Sequence, residues 1–94
     1  FMEKNLDQLI KSAAIILKHY GARNVYLFGS IAKNTTHKDS DIDMAVEGLP
    51  PEVFFKAMGE VHSILGRPLD LIDLDEQNPF TRYIKQEGEL VHVG

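Results

Sequence analysis

Residues 24–46, NVYLFGSIAKNTTHKDSDIDMAV, decide the fold. They read as a strand at 25–28, a tight Gly29-Ser30 turn, one short helical turn at 31–33, a polar loop at 34–40, and a second strand opened by Asp41 and Asp43. Ile42, Met44 and Val46 alternate with Asp41, Asp43 and Ala45, so this second strand has one apolar face. Strand residues i and i+2 lie on the same face about 6.6 Å apart. Two ionised carboxylates at that spacing repel by roughly 2.5 kcal/mol at an effective dielectric of about 20. A chain holds such a pair at low cost when a positive charge sits between them, and a hard divalent cation with oxygen ligands suits the position.

Before this stretch, Leu6, Leu9, Ile10, Ala13, Ile16, Leu17 and Tyr20 recur at helical spacing, and Gly21 is a natural stop. After it, Gly48-Leu49-Pro50-Pro51 breaks the chain. A helix with Phe54, Phe55, Met58, Val61, Ile64 and Leu65 on its apolar face then runs to Gly66. Residues 69–74, LDLIDL, read as a third strand. Asn78-Pro79 starts a helix with Phe80, Tyr83 and Ile84 as its buried stripe and Gly88 as its end. Tyr83 and Arg82 suit a surface position equally well, and 90–93 form a last short strand. The order α-β-β-α-β-α-β predicts a small mixed β-sheet with helices packed over it, an α+β fold in one domain spanning 2–94. Phe1, ahead of Met2, is read as a foreign remnant and left aside.

The composition narrows the function classes. With 94 residues and no cysteine, disulfides, thiolate metal sites and thiol catalysis are excluded, and a reducing, cytoplasmic setting is expected. A net charge of −4 argues against general nucleic-acid binding, which needs clustered Lys and Arg, but leaves room for a local phosphate site. No apolar run approaches the ~20 residues of a membrane span. His19, His37, His62 and His92 show no metal-ligand spacing, and His37 is read as an ordinary loop residue.

Gly29-Ser30 follows a strand and precedes a helical turn, so the backbone can bend sharply and its N–H groups and the Ser hydroxyl can hold an anion. Joined to Asp41 and Asp43, such a turn would bring a nucleotide's phosphates against metal ions, as two-metal phosphoryl or nucleotidyl transfer requires. A third carboxylate is then expected on the third strand. Asp70 and Asp73 are three apart and face opposite sides, so at most one can join the pair. Asp70, between Leu69 and Leu71, has no packing reason to be there; Asp73 suits a strand end or turn. A calcium loop opening at Asp39 fails, because Met44 and Pro50 stand where Gly and Glu are needed. A P-loop fails for want of Gly-Lys-Ser/Thr after Gly29, and a hydrolase elbow for want of flanking glycines.

Gly29-Ser30, ten residues, then Asp41-x-Asp43 resembles the DNA polymerase beta-like nucleotidyltransferases, with their palm-like fold. The short Ser40-Asp41-Ile42-Asp43 core looks like the minimal nucleotidyltransferase (MNT) branch. Arg67-Pro68-Leu69-Asp70-Leu71 is similar to the family's third-carboxylate strand, and residues 78–91 to its closing helix and strand. The resemblance implies that the Gly29-Ser30 turn, through Ser30, binds the triphosphate of ATP. It implies too that Asp41, Asp43 and Asp70 hold two Mg2+ ions, with Asp70 on the side of the attacking hydroxyl. Many relatives have a basic residue where this chain has Ile31 and Gly where it has Asn34. Lys33 is the candidate replacement charge.

Minimal members of this family are commonly antitoxins paired with HEPN-domain toxins, and some transfer AMP to a toxin tyrosine. That is the function the resemblance implies here. Two alternatives stand beside it: a non-catalytic module that covers its partner, and a small-molecule nucleotidyltransferase completed by a homodimer.

Overall fold

The computed structural model describes residues 2–29, 41–88 and 90–94. Among these residues the elements are α1 (Met2–His19), β1 (Asn24–Phe28), β2 (Ile42–Glu47), α2 (Pro51–Leu65), β3 (Leu69–Asp73), α3 (Pro79–Glu87) and β4 (Val91–Val93), in the expected order. The helical turn and polar loop expected at 31–40 lie outside the described residues. The sheet order is β3-β2-β1-β4. β1 runs antiparallel to both β2 and β4, whereas β2 and β3 are parallel. Parallel neighbours need a crossover, and α2 supplies it.

Alternation along the strands gives the sheet two different faces. Val25, Ile42, Met44, Val46 and Leu71 point into the main core beneath α1 and α2. Ala13 and Ala14 on α1 and Ala57 on α2 are buried in the same core, and such small residues allow two helices to approach closely. The other face carries Tyr26, Phe28, Ala45 and Ile72, where Leu74, just past β3, and Ile84 of α3 close a smaller apolar cluster around Ala45.

The helix ends follow their sequence signals. α2 has Pro51 in its first turn and stops at Gly66, whose φ of 67° is the left-handed conformation glycine favours. At α3, the Asn78 side chain accepts from the Thr81 N–H while the Thr81 hydroxyl accepts from the Asn78 N–H, closing a capping box.

Two expected apolar faces need correction. Phe55 is 76% exposed, because the buried stripe of α2 runs through Ala57, Val61 and Leu65 and position 55 is rotated about 200° from position 57. On α3, Phe80 and Tyr83 are 55% and 62% exposed. The capping box turns Thr81 inward, so the buried stripe passes through Thr81 and Ile84 instead.

Candidate active site

The carboxylates are placed by strand register. Asp43 lies opposite Phe28 of β1 on one side and opposite Asp70 of β3 on the other. The backbone N–H of Ile42 donates to the Pro68 carbonyl at 2.9 Å, extending this parallel pairing one step beyond β3. Asp41 is exposed and stands immediately before β2, while Asp43 is half-buried. Asp73 pairs with Val46 on the opposite face. Its Oδ1 accepts the Asp75 N–H at 2.9 Å, a turn-forming contact. Of the two acidic residues on β3, therefore, Asp70 shares a face with Asp43.

Residues paired across strands stand about 4.8 Å apart, closer than the ~6.6 Å from Asp41 to Asp43 along β2. At an effective dielectric of about 20 the cross-strand repulsion is roughly 3.5 kcal/mol, against roughly 2.5 along the strand. The cross-strand pair therefore dominates, although the sequence spacing draws attention to the other. The electrostatics of Asp43 follow the same ranking. Its carboxyl is pushed above the ordinary value of 3.8, first by burial, then by the charge of Asp70, a hydrogen bond with Asp70, and the charge of Asp41. A cation lying between the two carboxyls would relieve the same repulsion.

Gly29 closes the site from the β1 side. Its φ is +72°, and a Cβ there would collide with the Asp43 carboxylate. Glycine is needed on both counts. A cleft of about 330 Å³ opens beside the pair, lined by Phe28, Asp43, Asp70, Leu71, Ile72 and Phe80. Its donor set is carboxylate oxygen, which suits a hard cation and not a soft one. Among the described residues no group of three or more His, Asp or Glu side chains is gathered to hold a metal ion. Asp43 and Asp70 form a pair, with Asp41 at the mouth of the strand. Ser30 and Lys33, the expected phosphate-binding residues, lie outside the described residues, as do His37, Ile31 and Asn34.

Sequence reasoning missed the two aromatic walls of the cleft, reading Phe28 only as the end of a strand and Phe80 as part of a buried stripe. For Phe80 a signal was present. Asn78-x-x-Thr81 is a capping pair, and turning Thr81 inward leaves its neighbour pointing sideways.

Residues 11–93 match the family described as Polymerase beta, Nucleotidyltransferase. The chain belongs to that family and is a nucleotidyltransferase. It is 26% identical over 81 residues, 83% of this chain and 87% of the relative, to the Methanocaldococcus jannaschii protein named "Putative protein adenylyltransferase MJ0435". It is similar to a chain in the crystal structure of a toxin-antitoxin with AMP-PNP, with a TM-score of 0.69 and 25% identity, covering 89% of this chain and 73% of that one. It also shares its fold with a chain from the complex of tri-AMPylated Shewanella oneidensis HEPN toxin with MNT antitoxin, at a TM-score of 0.62 and 22% identity, covering 100% of this chain and 74% of that one. Among the described residues no helix is long and apolar enough to cross a membrane.

Proposed function

We propose that this protein transfers AMP from ATP to a tyrosine hydroxyl of a HEPN-domain toxin in the cytoplasm, and thereby acts as an antitoxin. The observation that carries the reading is the register of Asp43 against Asp70, with Gly29 pressed on the Asp43 carboxylate. Asp41, Asp43 and Asp70 would hold the Mg2+ ions, which when bound supply positive charge to the entering and leaving oxygens. Gly29, Ser30 and Lys33 would hold the β- and γ-phosphates. The tyrosine oxygen attacks the α-phosphorus in line. Its new P–O bond forms as the bond from that phosphorus to the β-phosphate oxygen breaks, and pyrophosphate departs with the electron pair. Asp70, on the acceptor side, takes the hydroxyl proton. The acidic pair and its partly desolvated Asp43 support this reading, since a site with a raised carboxyl pKa gains most when a cation enters.

The test uses ATP labelled at the α-phosphate, Mg2+ and, as acceptor, the product of the neighbouring gene. Wild type should label the toxin, and the Asp41→Asn/Asp43→Asn variant should label it at least about 10²–10³-fold more slowly, the scale on which loss of electrostatic stabilisation falls. Equal labelling by both proteins would sink the mechanism. A second reading, a non-catalytic module that silences its partner by covering it, is favoured by Ile31 and Asn34 in the phosphate-binding stretch. It predicts no label from either protein and an equally tight complex with both.

A further inference from the structure

We propose that Phe80 is the platform on which the acceptor ring lies, and that it makes this site select aromatic over aliphatic hydroxyls. The inference rests on the transfer reading above and adds the residue that recognises the acceptor.

Phe80 is more than half exposed on a helix whose other apolar contact, Ile84, is buried. It forms a wall of the same cleft that Asp43 and Asp70 floor. Phe80 leaves more than half of its surface open to the cleft side and solvent, and a ring beside a converging pair of polar groups is the usual anatomy of a small-molecule or side-chain pocket. In-line displacement decides which ligand it meets. The entering and leaving oxygens must lie on opposite sides of the α-phosphorus. With the leaving pyrophosphate assigned to the Gly29 end of β1, the acceptor enters from the side of β3 and α3, where Asp70 and Phe80 stand. The cleft's chemistry agrees. Among the described residues its lining side chains are carboxylate and apolar, with no cation among them. The cleft offers a carboxylate to take a hydroxyl proton, with Phe28, Ile72 and Phe80 to surround a ring. A phenol satisfies both; a serine or threonine hydroxyl satisfies only the first and leaves the apolar walls uncovered.

Two measurements test this. In the first, transfer to the toxin is followed in Phe80→Ala, Phe80→Trp and the control Tyr83→Ala, an exposed neighbour on the same helix that does not line the cleft. Phe80→Ala should raise the KM for the toxin so that kcat/KM falls roughly tenfold, while affinity for AMP-PNP with Mg2+ stays the same; Phe80→Trp and Tyr83→Ala should remain near wild type. A weakened AMP-PNP affinity with an unchanged toxin KM would assign Phe80 to the nucleotide and overturn the proposal, as would no change at all. The second measurement needs no transfer. N-acetyltyrosinamide and N-acetylserinamide are each titrated into protein carrying labelled phenylalanine, with AMP-PNP and Mg2+ present, and the Phe80 ring resonances are followed. The tyrosine amide alone should shift them. A Phe80 silent to both amides, in a protein that still labels its toxin, rejects the platform and leaves the transfer reading intact. A Phe80 that senses the phenol, in a protein that labels nothing, rejects the transfer reading and keeps the platform.

Discussion

The two faces of β2 are made from one run of six residues and have opposite characters. On one side Ile42, Met44 and Val46 are fully buried beneath α1 and α2. On the other, Asp43 meets Asp70 across the ladder and only Ala45 is covered, by the small cluster around Leu74 and Ile84. The first face contributes stability and carries no chemistry. The second sets a half-buried Asp43 beside an exposed Asp70, which raises the proton affinity of Asp43, an arrangement that costs stability until a cation or proton joins it. The comparison teaches that the apolar face of β2 holds in place what its polar face would otherwise push apart.

That division can be broken from either side. The largest effect on folding is expected from Met44→Ala, which empties a fully buried position and should cost about 2–5 kcal/mol, measured by denaturant unfolding. Labelling activity per folded molecule should stay near wild type below the unfolding transition. Gly29→Ala comes next and strikes both faces' business at once. The positive φ and the collision with the Asp43 carboxylate should lower stability by about 1–2 kcal/mol. Displacement of Asp43 should cut transfer by up to about 10²-fold in the same labelling assay.

The smallest effect sharpens the comparison by sign. Asp43's folded-state carboxyl titrates above its ordinary value of 3.8, so the native state binds this proton more tightly than the unfolded chain does. Stability from this group is therefore present at low pH and is lost as pH rises from the unfolded value through the folded one. Asp43→Asn should raise the metal-free melting temperature at neutral pH by a few °C, on the order expected for a small domain. The gain should vanish as the pH is brought down toward 3.8. Adding Mg2+ at neutral pH should raise the melting temperature of wild type and leave that of the variant unmoved. A variant less stable than wild type at every pH would contradict the assignment.

Much of this was legible in the chain. The element order follows from helical periodicity in α1 and α2, from strict alternation in β2, and from breaks at Gly21, Gly48-Pro51, Gly66 and Asn78-Pro79. Parity alone separates Asp70 from Asp73, because a spacing of three puts them on opposite faces of a strand. What parity does not contain is register. That Asp70 faces Asp43, and not Ala45 or Asp41, depends on how α2 returns the chain to lay β3 beside β2, a long-range relation that no local pattern carries. The exposed aromatics were misread for a related reason. Apolar spacing says which residues could share a stripe, but the helix is turned by what it docks on, Ala57 and Val61 in α2 and the capping Thr81 in α3, leaving Phe55, Phe80 and Tyr83 outside.

Because β2 lies inside the sheet, hydrogen-bonded to β1 on one edge and β3 on the other, the gap between Asp43 and Asp70 behaves as a fixed gauge. It can change only in whole rungs of the ladder. A slip of β3 by one rung would set Leu69 or Leu71 against Asp43 and turn Asp70 toward the core side; a slip of two would bring up Ile72 or Pro68. None of these neighbouring settings is a weaker version of the working one. Sequence drift in the surrounding helices and loops can therefore tune what reaches the two carboxyls, but the distance between them is either kept or lost, with no graded series in between.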